Sequence, residues 1–164
     1  DIYLRPFLSA HKEICIVSGG AIGIDSKASE VALSTGRKTV IVLPSGLECL
    51  YPKSLSRLKG REGLLFLSEY LPHQVMQKWH FHKRNRLIAA LSPSIFAVQL
   101  AIRSGTMITA RQALELGREI WTLPDFPGGL ESSGNLQLIR DGATLIIDQK
   151  DLEMAWSRVV VGLA

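Results

Sequence analysis

The nine residues Lys78-Trp79-His80-Phe81-His82-Lys83-Arg84-Asn85-Arg86 set four cations beside two aromatic rings, Trp79 and Phe81. Cations neutralise phosphates and flat rings stack on bases, so this combination in so short a stretch is the footprint expected for a nucleic-acid partner. The charge is local. Residues 78 to 118 hold seven of the nineteen Lys and Arg and a single acid, Glu115, which makes that stretch +6 and the remainder −2 in a chain of net charge +4. A helix starting near Phe81 would carry Lys83, Arg84 and Arg86 in its first turns, where cations oppose the helix dipole at a cost of about 0.3–1 kcal/mol each. Three together call for a compensating role. In such a helix Arg84 heads the same stripe as Leu87, Ile88 and Leu91, so it is expected to point along the carboxyl edge of a sheet. Trp79 and Phe81 fit either a core or a stacking surface, and a solvated charge run is the plain alternative for the cations.

Two glycine-containing turns offer anion contacts of another kind. Ser18-Gly19-Gly20-Ala21-Ile22-Gly23-Ile24-Asp25 leads from a short apolar run into a helix. Glycines there let the chain bend sharply and bring backbone N–H groups up to an anion at the helix N-terminus. Gly20 and Gly23 are the candidate donors, and Asp25 is the expected N-cap. The turn departs from the dinucleotide-binding fingerprint, because Ser18 stands where its first glycine belongs and the next strand ends Leu43-Pro44-Ser45 without an acid for a ribose hydroxyl. Ser104-Gly105-Thr106 repeats the arrangement later in the chain. Its hydroxyls can cap a helix or bind a phosphate oxygen, and Arg103 beside them favours phosphate.

For catalysis the chain offers little. His11, His73, His80 and His82 show no metal-ligand spacing, and neither Ser18 nor Ser45 lies in a G-x-S-x-G elbow. Asp25, Glu48 and Glu69 cannot be paired from sequence. Cys15 and Cys49 have no partner spacing of a metal site and read as reduced thiols. No apolar run approaches the roughly 18–20 residues needed to span a bilayer, and Asp1-Ile2-Tyr3-Leu4-Arg5-Pro6 lacks the pattern of a signal peptide. The expectation is a cytoplasmic binding protein with no metal, no cofactor and no turnover.

The elements that must hold these residues alternate. Leu4, Phe7 and Leu8 mark a helix. Ile14–Val17 is a short apolar strand of the kind buried on both faces, and a helix with the stripe Ala28, Val31, Ala32 runs from the first turn to Gly36. Residues 39–43 form a strand, 47–63 are irregular around Tyr51-Pro52, and 64–67 form another strand. A helix over 81–91, the apolar strand Ser94–Leu100 and a helix over 106–116 with Ala110, Ala113, Leu114 and Gly117 on its packing face come next. Strand 119–123 precedes a Gly/Pro-rich loop over 124–134, a short helix over 135–140, strand 144–147 and a helical tail from Asp151. Strands alternating with helices predict one α/β domain over residues 1–164, a Rossmann-like three-layer α/β/α fold with a mostly parallel sheet. Ligands of such sheets gather outside the carboxyl ends of the strands, where both glycine turns must fall.

Read in order, Ser18-Gly19-Gly20-Ala21-x-Gly23-Ile24-Asp25, Gly46-Leu47-x-x-x-Tyr51-Pro52, Ser68-Glu69-Tyr70, Phe81-x-x-Arg84-Asn85-Arg86-Leu87-Ile88-Ala89, Ser104-Gly105-Thr106-x-Ile108-Thr109-Ala110, Gly117-Arg118-Glu119 and Leu138-Ile139-x-x-Gly142-Ala143 resemble the DNA-processing protein A (DprA, or Smf) family. The resemblance runs in register from about residue 14 to 148. It implies an extended Rossmann fold that binds single-stranded DNA, loads the RecA recombinase onto it during natural transformation, and commonly forms homodimers. The family's Phe-x-x-Arg-Asn-Arg segment and the basic residue before it fall on Phe81, Arg84, Asn85, Arg86 and Lys78.

Its Gly-Ser-Arg turn is matched by no residue of this sequence, whose opening residues correspond to the helix that follows that turn. The family's N-terminal helical and C-terminal winged-helix extensions are likewise unmatched. Ser29, Gln99 and Asp125 stand where the family commonly has His, Glu and Gly. The expected roles are backbone contact by Lys78, Lys83, Arg84, Arg86 and Arg103, stacking by Phe81 with Trp79, and donation from Gly20, Gly23, Ser104, Gly105 and Thr106, with Asn85 completing the segment. The Lonely Guy phosphoribohydrolases are a related enzymatic alternative, but Thr109 stands where their catalytic Glu would be and Pro127-Gly128-Gly129 is displaced from their motif. A nucleotide-sensing module of the same fold is the third reading.

Overall fold

In the computed structural model, which describes residues 1–125 and 133–163, strands and helices alternate and every strand pairing is parallel. The chain divides into two compact units, Asp1–Ile88 and Ala89–Ala164. Among the described residues six strands form two three-stranded ladders, one in each unit, where the sequence predicts a single sheet. The Rossmann-like α/β class stands.

The first unit runs α1 (Leu4–Ala10), β1 (Cys15–Ser18), α2 (Ile24–Ser34), β2 (Lys38–Val42), a 3₁₀ helix (Lys53–Leu58), β3 (Leu64–Leu67) and most of α3 (Lys78–Leu91). β2 lies in the middle, with Thr39 between Ile16 and Leu64 and Ile41 between Ser18 and Phe66. Its place explains its burial: Thr39, Ile41 and Val42 are inaccessible, whereas β1 on the edge exposes Cys15 and half-buries Ile16 and Val17. The expectation of a β1 buried on both faces is corrected on that ground. The irregular stretch after β2 belongs to the core, because Leu55 of the 3₁₀ helix packs with Ile41 and Leu43, and Leu50, Leu58, Leu64 and Phe66 close around them. Gly46 sets how closely that stretch passes the chain beyond β3. A Cβ there would lie 1.9 Å from the Leu71 carbonyl oxygen, and the Gly46 N–H donates to Gln74 O at 2.8 Å.

α2 begins differently from expectation. Gly23, at φ +104°, is the N-cap, and Ser26 Oγ both accepts from its N–H (3.1 Å) and donates to its carbonyl (2.9 Å). Asp25 instead folds back over the turn and accepts from the Gly19 and Ala21 N–H groups at 3.0 and 3.2 Å. α3 starts at Lys78, three residues before the predicted Phe81, and the preceding Gln77 accepts from Trp79 Nε1 at 2.5 Å through its side chain and from the His80 N–H through its carbonyl.

The second unit runs β4 (Ser94–Ala97), α4 (Gly105–Glu115), β5 (Glu119–Thr122), α5 (Ser133–Arg140), β6 (Thr144–Leu145) and α6 (Gln149–Leu163). Its core joins Ala89, Ala97 and Leu100 to Met107, Ala110 and Ala113 of α4, with Ile120 and Leu138. Met107 rather than Leu114 completes the packing face, since Leu114 is 45% exposed. The predicted strand Ser94–Leu100 stops as ladder at Ala97 because Asn135 replaces a strand as its partner. Leu100 N–H donates to Asn135 Oδ1 at 3.0 Å, and Asn135 Nδ2 donates to Val98 O at 2.9 Å and to Thr122 Oγ1 at 3.0 Å. α6 opens two residues before Asp151: Asp148 Oδ1 accepts from the Lys150 and Asp151 N–H groups, and Asp151 Oδ2 accepts from those of Ile147 and Asp148. The Pro127-Gly128-Gly129 segment lies outside the described residues.

Candidate nucleic-acid interface

At the start of α3 the helical turn separates residues that are adjacent in sequence. Lys78, Trp79, His82 and Lys83 face out, Phe81 is half-buried, and His80, Arg84 and Asn85 face in. His80 is completely buried and stacks on Tyr70, with ring centroids 4.0 Å apart and planes 21° apart. Its Nδ1 lies 2.8 Å from Pro44 O, which makes that nitrogen the donor. The Gln77 amide 3.2 Å from the same atom is then a close approach and not a bond. His80 thereby fixes the first turn of α3 to the loop after β2.

Arg84 goes where the helical stripe predicts, to the carboxyl ends of β1 and β2, but it does not reach solvent. It is 6% exposed, its Nη1 donates to Gly19 O (2.8 Å) and to Val42 O, and its Nε donates to Asn85 Oδ1 at 3.2 Å. Burial lowers its pKa, and the Asp25 carboxylate and Tyr70 oppose that shift. A Cβ on Gly19 would lie 2.6 Å from Arg84 Nη1, so glycine at 19 is what admits the guanidinium. Arg84 thereby forms an internal tie between two strand ends and a helix. The reason is geometric: a planar fork with five donors matches converging carbonyls.

Arg86 is also engaged. Its Nη2 lies 2.6 and 2.7 Å from the two Glu69 carboxylate oxygens, at an exposed position. The expected donors Gly20 and Gly23 serve the turn itself: Gly20 N–H donates to Ser18 Oγ at 3.3 Å and Gly23 N–H to Ser26 Oγ. Gly20 is moreover buried, at φ +68° with Ile41 2.7 Å from where a Cβ would be. Short hydroxyl and carboxylate side chains inside the loop thus satisfy the N–H groups that a bound anion would otherwise take.

Rings and cations also meet at the start of α3. Lys83 Nζ sits 4.8 Å from the Trp79 ring centroid, Arg84 Cζ is 5.8 Å from that of Phe81, and Tyr51 meets Phe81 edge-on at 5.8 Å and 84°. Lys78 and Lys83 have no ion-pair partner among the described residues. In the second unit, Ser104 is the N-cap of α4, accepting from the Met107 N–H at 3.2 Å, while Arg103, Gly105 and Thr106 are exposed around it. Thr109 is 7% exposed and donates to Gly105 O at 3.2 Å, so no carboxylate stands at the position a phosphoribohydrolase would use. Among the described residues no group of His, Cys, Asp and Glu is placed to hold a metal ion, and no helix is long and apolar enough to cross a membrane.

A family model described as DNA recombination-mediator protein A matches residues 6–157. The chain belongs to that family. It is 41% identical over 143 residues to the DNA processing protein DprA of Streptococcus pneumoniae, an alignment covering 85% of this chain and 50% of that protein. To Escherichia coli protein Smf it is 36% identical over 146 residues, 87% of this chain and 39% of Smf. The chain therefore spans half or less of these relatives. Among solved structures, S. pneumoniae DprA superposes with a TM-score of 0.82 at 37% identity over 93% of this chain and 54% of that one. Helicobacter pylori DNA processing protein A, described for its unique single-stranded DNA binding mode, does so with 0.81 at 29% identity over 96% and 72%.

The family assignment adds weight to motifs that were legible residue by residue, but it does not distinguish inward from outward members of the α3 run. Sequence reasoning missed three residues that shape the site or its support. In the sequence His80 shows no metal-ligand spacing, Glu69 belongs to the Ser68-Glu69-Tyr70 motif without a partner being legible, and Asn135 reads as the start of a helix. A polar side chain on a helix that otherwise packs against the strands is the one signal that could have found Asn135.

Proposed function

We propose that this chain binds single-stranded DNA without strong sequence preference, as part of a recombination mediator that loads RecA and acts as a homodimer in the cytoplasm. The observation that carries the reading is the outward pair Lys78 and Lys83 on the same helical turns as Trp79 and Phe81, with Lys83 in cation–π contact with Trp79. Family membership and the single-stranded DNA described for the H. pylori relative support it. Point charges on flexible stems suit a backbone of variable path, and rings accept any base face. Arg84 and Asn85 hold the platform in shape. Arg103, Gly105 and Thr106 give the second unit an anion contact of its own at the start of α4.

The direct test is fluorescence anisotropy of a labelled oligo-dT of about 20 nucleotides at two salt concentrations, beside a duplex of equal length. The expected result is tighter binding of the single strand, weakened by salt. Equal or better binding of a mononucleotide would overturn the reading in favour of nucleotide sensing.

A further inference from the structure

The segment Lys53–Arg61 carries four cations, Lys53, Arg57, Lys59 and Arg61, with no acid among its nine residues. All four are exposed, and none has an ion-pair partner among the described residues. The 3₁₀ helix turns Leu55 inward to the core, which leaves its basic residues outward. A solvated charge run would account for that much. Two further features do not fit a merely solvated run.

The first is a cavity of about 430 Å³ whose lining includes Lys53 and Lys59 together with Leu50, Tyr51, Val75 and Met76. That volume falls in the range of small-ligand sites, about 300–1,000 Å³. Glu48, the acid on its wall, lies 2.6 Å from His73 Nδ1, and the two lysines outnumber it. The second feature is continuity. Tyr51, 40% exposed, forms one wall of the cavity and at the same time meets Phe81 edge-on at 5.8 Å. A hollow that combines apolar side chains, a tyrosine ring and two lysines without ion-pair partners among the described residues complements a nucleotide, which is flat and weakly polar at one end and anionic at the other.

We propose that the Tyr51–Arg61 segment is a second nucleotide subsite: a single strand held at Phe81 continues over Tyr51, seats its next base in this cavity and lays the adjoining phosphates on Lys53 and Lys59. The inference rests on the single-stranded DNA reading above and extends it to residues outside the family's Phe-x-x-Arg-Asn-Arg segment. Binding at Phe81 and in the cavity is then one event on one strand, and the basic 3₁₀ helix sets the strand's direction away from α3.

The test compares the full chain with Lys53→Ala/Lys59→Ala, Tyr51→Ala and Tyr51→Phe in oligo-dT anisotropy across a salt series. Loss of two phosphate contacts lowers the slope of log K against log salt by about 1.4. Tyr51→Ala weakens binding roughly 5- to 150-fold, the range for one base–aromatic stack, and Tyr51→Phe restores it. The lysines are exposed, so their variant is expected to keep the parent's melting temperature and to report on binding alone. An oligonucleotide with iodouracil in place of thymine should photocrosslink to Tyr51 or Met76. Parent-like affinity and slope in the lysine variant, with no crosslink in the cavity, would overturn the subsite while leaving binding at Phe81 intact. Failure of the unmodified chain to bind oligo-dT would overturn both. Displacement of the oligonucleotide by micromolar thymidine monophosphate would make the cavity a free-nucleotide site and would also overturn the proposal.

Discussion

Arg84→Ala separates a structural cation from a binding one. The substitution deletes the Nη1 donor to Gly19 O and Val42 O and the Nε donor to Asn85, at a site 6% exposed. A buried acceptor left without its donor costs about 1–3 kcal/mol, so two carbonyls give about 2–6 kcal/mol. The guanidinium's own desolvation is relieved at the same time, which places the net cost in the lower part of that range, about 2–4 kcal/mol. For a chain of this length each kcal/mol moves Tm by about 2–4 °C, so the expected fall is roughly 4–16 °C. Arg84→Lys keeps the charge but not the fork, and should recover only part of it. The assay is thermal unfolding, paired with oligo-dT anisotropy at a temperature where the variant is folded. The salt slope should match the parent's, since no phosphate contact is lost. An unchanged Tm with a slope smaller by about 0.7 would refute this reasoning and return Arg84 to the phosphate-binding role read from sequence.

Other perturbations test neighbouring parts of the architecture. Glu69→Gln releases Arg86 from its carboxylate partner and should raise affinity for oligo-dT while steepening the salt slope by about 0.7, with little change in stability because the pair is exposed. Gly46→Ala drives a Cβ to 1.9 Å from Leu71 O and 2.2 Å from Pro72 O, both backbone atoms, and should cost about 3 kcal/mol or more in denaturant unfolding. Asn135→Ala strips the Leu100 N–H of its acceptor and Val98 O of a donor at a position 1% exposed. It should cost about 2–5 kcal/mol and raise hydrogen exchange at the Leu100 amide first.

The class of fold was legible because its cause is periodic: short apolar runs such as Thr39–Leu43 separated by amphipathic stretches force parallel strands with helical crossovers. The place of each strand in the ladder was not, and burial follows place. β1 and β2 look equally apolar, yet only the middle one is buried on both sides. The stripe rule placed Arg84 at the strand ends, but a sequence does not say how many carbonyls converge there or whether solvent remains. The glycine turn held the same ambiguity. Whether its N–H groups meet an anion or Asp25, Ser18 and Ser26 depends on side chains only a few residues away, whose rotamers a pattern does not show.

The division of labour among the four α3 cations makes a numerical difference. Lys78 and Lys83 face out unpaired, whereas Arg84 is enclosed and Arg86 is held by Glu69. The split follows side-chain chemistry, since the guanidinium fork suits fixed carbonyls and a carboxylate, while the ammonium is a mobile point charge that tolerates a moving phosphate. If all four cations met phosphates, the run would contribute about 2.8 to the single-strand salt slope, at 0.7 per contact. With the lysines alone it contributes about 1.4. Lys78→Ala/Lys83→Ala should therefore remove the whole of that smaller contribution, and Arg86→Ala added to it should change the slope by little. A further drop near 0.7 on adding Arg86→Ala would mean that Glu69 yields its partner to the DNA on binding, and the resting pair would then be a competitor for the phosphate.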